Sequence, residues 1–159
     1  MLARIQLLIV TFWVGSLWTV GYVVAPLLFA TLDDRVLAGT LAGRLFRVEA
    51  WITIVCGLVL LVLVRYVNRE NESAPRTHVV AIIIGMLICT LIGYFGLQPW
   101  MASLREASGP AGVMEGSDRR TFGILHGLSS AMYMIQSLLG ASLILKMTNM
   151  ASRVAGKGS

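Results

Sequence analysis

Four apolar stretches separated by short clusters of charge organise the chain, at about residues 5–30, 46–66, 79–101 and 121–147. A helix rises about 1.5 Å per residue, so each is long enough to cross a hydrocarbon layer of about 30 Å. The pattern predicts an all-α membrane protein, a four-transmembrane-helix bundle with residues 1–148 as its one domain. Between the first two spans, Asp33-Asp34-Arg35 makes a turn whose carboxylates can cap a helix start. Residues 36–48 that follow are amphipathic and too short to span. They predict a short amphipathic helix between spans 1 and 2, lying at the interface or running into the second span. Residues 149–159 are basic and rich in small side chains, and are expected to form a flexible tail.

Breakers and small residues refine this picture. Gly21 and Pro26 interrupt the first span, which predicts a kink or an early end there. Gln98-Pro99-Trp100 reads as a proline stop to the third span, near Met101. Residues 68–77 are a polar hairpin connection, and Ser108-Gly109-Pro110-Ala111-Gly112 is a loop. Small residues recur at helical spacing as Gly39 and Gly43, as Gly85, Cys89 and Gly93, and as Gly123, Gly127 and Ala131. Such ridges let helices approach closely.

Composition agrees with a membrane protein, since 57% of residues are hydrophobic and 13% are charged. A soluble domain has about 25% charged residues. The net charge of +5 comes without any nucleic-acid motif, so it bears on membrane orientation. Cys56 and Cys89 lie inside apolar segments with no metal or redox spacing, and read as small apolar side chains. The N-terminal run imitates a secretory leader, but it is long, contains Trp13 and Trp18, and has no A-x-A site before Asp33. A retained first span is the expectation. With both termini cytoplasmic, seven Lys and Arg fall on the inner side (Arg4, Arg65, Arg69, Arg76, Lys146, Arg153, Lys157). Six fall on the outer side (Arg35, Arg44, Arg47, Arg105, Arg119, Arg120), among six acidic residues. A margin of one does not decide orientation alone, and the acids on the outer side only support it; a bacterial inner-membrane protein with its termini inside is the expectation.

The candidate chemistry is concentrated in the fourth span. His126, Ser130, Tyr133 and Ser137 share one helical stripe beside the Gly123 ridge, and polar groups in a span are expected to face protein. In the first span Trp18 and Tyr22 are an i, i+4 pair, whose plainer reading is packing or an interfacial aromatic belt. Glu49 and Thr53 form another such pair at the start of the second span. A carboxylate there needs a partner, and a salt bridge to an arginine is the expected one. These residues predict a polar cavity between spans one, two and four. Its ligand-binding set is His126, Ser130, Tyr133, Arg44, Tyr22, Trp18, Glu49 and Arg119, with Arg47 and Arg120 at its edge. Arginines at a membrane edge bind lipid phosphates, so membrane lipids are the expected partners. The plainer reading is that these charges pair with one another.

Enzymatic readings fare less well. Ser129 and Ser130 are near His126, but only Glu49 and Asp118 offer a carboxylate to orient it, so no catalytic residue is expected. No methionine or cysteine spacing marks a metal site. Haem held by two histidines is excluded by depth, since His78 belongs to the inner end of the third span and His126 to the outer part of the fourth. A His126 and Met101 pair is the remaining haem option; otherwise no cofactor is expected.

Three motifs carry a resemblance. They are Gly15-Ser-Leu-Trp18-Thr-Val-Gly21-Tyr22-Val-Val-Ala25-Pro26-Leu-Leu-Phe29, Ala38-Gly39-Thr-Leu-Ala42-Gly43-Arg44-Leu45-Phe46, and Phe122-x-x-x-His126-Gly127-x-Ser129-Ser130. In these the chain resembles the DUF4149 family, itself similar to the eukaryotic transmembrane protein 205. The resemblance implies a small four-span membrane protein with no established biochemical role. Pro26, Leu28 and Phe29 give a more distant likeness to the membrane protoporphyrinogen oxidase and copper-resistance D group. The oxidase's haem-ligating histidine would fall near Val10-Thr11-Phe12, where this chain has none. The expected function is therefore non-enzymatic: binding a small ligand or lipid headgroup, or supporting transport or assembly in the membrane. The alternatives are a haem- or redox-linked enzyme, and a structural subunit or homo-oligomer docking through the Gly39/Gly43 and Gly123/Gly127 faces.

Overall fold

A backbone without access to water must satisfy its polar groups internally, and a helix does so within one segment. The computed structural model of the chain describes residues 2–68, 75–107 and 116–156, and all regular structure among them is helical. The first helix is Leu2–Thr31 and the second Arg35–Asn68. The third runs through Pro75–Leu91, Ile92–Leu97 and Gln98–Ala107, and the fourth is Gly116–Gly156. Each of the four is long and apolar enough to cross a membrane. The first and third helices both pack against the second and the fourth, so the four close a ring. Large apolar side chains such as Leu8, Val62, Ile88, Leu138 and Leu145 point outward. That is the surface a bundle presents to hydrocarbon.

Of the two arrangements expected for the amphipathic segment, the second is the one found: it forms the first turns of the second helix, and nothing in 36–48 breaks it. Its start is capped by Asp34 Oδ1, which accepts the Val36 and Leu37 backbone N–H groups at 2.8 and 3.1 Å. Pro99 does not stop the third helix, which continues to Ala107, and the first helix likewise passes Pro26 to reach Thr31. Both prolines follow a π-helical turn, Thr19–Val24 in one helix and Ile92–Leu97 in the other. There the Ala25 N–H donates to Val20 O and the Gln98 N–H to Gly93 O, each five residues back. The wider turn re-registers the hydrogen bonds just before a residue that has no N–H to give. The fourth helix continues through Gly156, over most of the segment expected as a tail; residues 157–159 lie outside the described residues. So do 69–74 and 108–115, on which the two predicted loops largely fall.

The core fills one end of the ring. Val10, Trp13, Val14 and Leu17 of the first helix meet Cys56, Leu60 and Val64 of the second there. Val79, Ile83 and Met86 of the third and Leu143 and Met147 of the fourth complete it. Each hairpin is tied by one buried polar pair. The Trp13 indole N–H donates to Thr53 Oγ1 at 2.8 Å, and the Gln136 amide donates to Thr90 Oγ1 at 2.9 Å. Thr53→Val keeps the shape but leaves the indole N–H unpaired. It is expected to cost about 1 kcal/mol, and a double-mutant cycle with Trp13→Phe should return that coupling. A coupling of zero would mean that the bond contributes nothing.

Helix packing uses some of the expected glycines, such as Gly85 against Leu139, and others besides. The first and fourth helices approach most closely at Gly140, where a Cβ would lie 3.0 Å from Val14, and at Gly21, which Tyr133 covers. The Gly39 and Gly43 face is used inside the chain: Arg105 Nη1 donates to Gly39 O at 3.1 Å and lies 3.6 Å from where a Gly43 Cβ would be. At Gly123 and Gly127 no neighbour comes within 4 Å, so that ridge is uncovered in the single chain.

Candidate functional site

Above the core the ring stays open. The two π turns and their prolines lie at this level, and between the helices is a cavity of about 880 Å³ with mostly apolar walls. All four helices line it. Its mouth carries Arg35 from the start of the second helix, Arg105 from the end of the third and Arg119 from the start of the fourth. Its floor carries Glu49, Thr53, Thr90 and Gln136. Fourteen residues separate Arg35 from Glu49 on one continuous helix, so Arg35 stands about 20 Å above the floor, while Arg105, which reaches in to the level of Gly43, stands about 9 Å above it.

Arg105 is the best-anchored of the mouth arginines. Its Nε donates to Met101 O at 3.3 Å, its Nη1 donates to Gly39 O, and its guanidinium carbon lies 5.9 Å from the centre of the Phe122 ring. It thus touches the second, third and fourth helices at once. Phe122 in turn stacks on His126, with centroids 6.1 Å apart and planes 5° from parallel.

Halfway down is an aromatic wall. Tyr133 meets Tyr22 and Phe46 edge to face, with centroids 6.2 and 5.4 Å apart. The Tyr133 hydroxyl donates to Leu17 O in the turn before Gly21, and the Tyr22 hydroxyl donates to Ser137 Oγ at 2.9 Å. A Cβ on Gly21 would fall 2.2 Å from Tyr133 Cε1, so the glycine is what admits this ring.

Glu49 ends the series. It is 3% exposed, and among the described residues Oε1 accepts one hydrogen bond, from the Ser16 hydroxyl at 3.3 Å. That hydroxyl has a single proton, and the Trp13 carbonyl competes for it at 2.9 Å. Oε2 has no hydrogen-bond partner among the described residues. Among the described residues the arginine salt bridge expected from the sequence is not made; the mouth arginines are held above the floor.

Of the eight residues that the sequence put forward, six line this one cavity: Tyr22, Glu49, Arg119, His126, Ser130 and Tyr133. Trp18 and Arg44 are not among the lining residues; both are exposed. The Ser130 hydroxyl donates to His126 O in its own helix, which takes its proton away from the imidazole. His78 is at the opposite end of the bundle, one turn into the third helix. Among the described residues no three His, Cys, Asp or Glu side chains gather as a metal site would need. Arg105, Phe46, Thr90 and Gln136 were missed. Arg105 and Met101 are four apart, a signal that a helix continuing past Pro99 would have revealed.

The molecule is therefore an all-helical protein with four membrane-length apolar helices, whose polar groups gather in a cavity between them. The chain belongs to the DUF4149 family, described as a domain of unknown function, whose model matches residues 8–109. That match covers the first three helices and the arginine of the mouth on the third. No curated protein and no solved structure matches the chain.

Proposed function

We propose that the chain is a non-enzymatic, multi-pass protein of the bacterial inner membrane that binds a small amphipathic ligand or lipid headgroup in this cavity. Both termini face the cytoplasm in this reading, so the mouth opens toward the outer side. The anionic group of the ligand sits at the mouth arginines and its apolar part lies along the cavity wall. The observation that carries the reading is Arg105, an arginine fixed by two backbone carbonyls and an aromatic ring at the entrance of a mostly apolar cavity. Guanidinium groups grip phosphates and carboxylates through paired N–H donors, and one already oriented loses little freedom on binding. The lower polarity of the cavity strengthens that contact relative to one in water.

Native mass spectra of the protein extracted in mild detergent test this. Wild-type protein is expected to retain anionic phospholipid, and Arg105→Gln to retain several-fold less. Arg44→Gln, an exposed arginine off the cavity, should behave as wild type. Equal retention by wild type and Arg105→Gln would overturn the reading.

A further inference from the structure

We propose that the cavity floor is a binding site for an organic ammonium group, with Glu49 as its counter-charge and the Tyr22, Phe46 and Tyr133 rings as its wall. A buried carboxyl group that lines a cavity and has one oxygen without a hydrogen-bond partner among the described residues is an unusual thing for a fold to keep. It costs stability in the empty protein and is compensated when a cation arrives. The surroundings select the kind of cation. A metal ion needs several oxygen ligands close together; among the described residues the one hydroxyl that reaches Glu49 is that of Ser16, itself committed to Trp13 O, and the Thr53 and Thr90 hydroxyls already accept from Trp13 and Gln136. Aromatic faces instead attract ammonium groups, and aromatic cages are the common device for holding them. Phe46 lies three residues before Glu49 on the same helix face. It packs edge to face on Tyr133, as Tyr22 does from the other side, and all three rings line the cavity with Glu49.

The spacing of the charges sharpens the ligand. Arg105 sits at the level of Gly43, and six residues of helix from Gly43 to Glu49 span about 9 Å. Ionic contacts of up to about 4 Å at each end leave a short bridge between the ligand's own charges, as in an ethanolamine phosphate. A lone cation is repelled by three arginines at the mouth, whereas a zwitterion of this kind is attracted there first. The anionic half of this description rests on the mouth reading above; the ammonium half rests on the floor alone.

Titration calorimetry on the detergent-solubilised full chain separates the two. The probes are hexyltrimethylammonium, hexyl phosphate and hexylphosphoethanolamine, with sodium chloride as the ionic control. Wild type is expected to bind the ammonium probe saturably, and Glu49→Gln to bind it at least tenfold more weakly while binding hexyl phosphate as before. Arg105→Gln should lose hexyl phosphate and keep the ammonium probe, and hexylphosphoethanolamine should suffer from both changes. Phe46→Leu, which leaves the carboxyl in place, should also weaken the ammonium probe severalfold and provides the test if Glu49→Gln does not fold. No saturable ammonium binding, or equal binding by wild type and these variants, overturns the proposal. So does displacement of the probe by sodium at equal concentration, which would mark a metal-ion site. If hexyl phosphate binding is insensitive to Arg105→Gln, it is the mouth reading that fails.

Discussion

Gly21→Ala is expected to lower the stability of the purified protein by about 1–3 kcal/mol, read as a fall in melting temperature in detergent. Alanine is the better helix former, which alone would favour the variant by about 1 kcal/mol. Against this, the new methyl carbon would lie 2.2 Å from Tyr133 Cε1 and 2.7 Å from its hydroxyl oxygen. The ring has no easy retreat, because Tyr22 and Phe46 flank it and its hydroxyl is bonded to Leu17 O. Overpacking of this kind costs about 1–3 kcal/mol, and the lost hydrogen bond adds about 1 kcal/mol. The penalty exceeds the propensity gain. Tyr133→Leu in the same chain should relieve the clash, so the double variant should be more stable than the sum of the single losses implies. Strict additivity would show that the two residues do not meet.

Glu49→Met is expected to act in the opposite direction, raising stability by about 1–3 kcal/mol. The carboxyl has one long, shared contact and one oxygen with no hydrogen-bond partner among the described residues, and an unsatisfied buried polar atom costs about that much. Methionine is of similar length and adapts to irregular space. Ser16 keeps its bond to Trp13 O in the variant, so no new orphan is created. The gain in melting temperature should be accompanied by loss of ammonium binding, the usual trade between stability and a strained site. A variant markedly less stable than wild type would mean that the carboxyl is holding the fold together, and would remove the reason for assigning it a ligand.

Much of the fold was legible because the decisive signal, long apolar runs punctuated by charge, is local. The four helices and the Asp34 cap needed nothing more. The convergence of His126, Tyr133, Tyr22 and Glu49 was also legible, since polar residues in an apolar span have to face inward. What could not be read was depth and direction. Glu49 looked close enough to the arginines to pair with one, yet the continuous second helix carries it below their reach. Arg105 was hidden behind a proline that reads as a stop, because a one-residue change of hydrogen-bond register is invisible to side-chain periodicity. Nor could spacing say which small residues meet a neighbour within the chain: Gly140 does and Gly123 does not.

That change of register has a consequence for phase. In an α-helix each residue advances about 100° around the axis, and a π turn takes up one residue that the regular spiral would not need. The first and third helices each contain one such turn, Thr19–Val24 with Gly21-Tyr22 inside it and Ile92–Leu97 with Gly93-Tyr94 inside it. The face that buries Val10, Trp13 and Leu17 in the core is therefore not continued by the 3.6-residue rhythm into Ala25 and Phe29. The residues that grip the closed end and those presented to the cavity are thus out of step by one position along the chain. A relative shorter by a single residue between Thr19 and Val24 would need no wide turn: its 3.6-residue rhythm would run unbroken from the core face into the cavity face, and the carbonyl four residues before its proline would be left without an N–H.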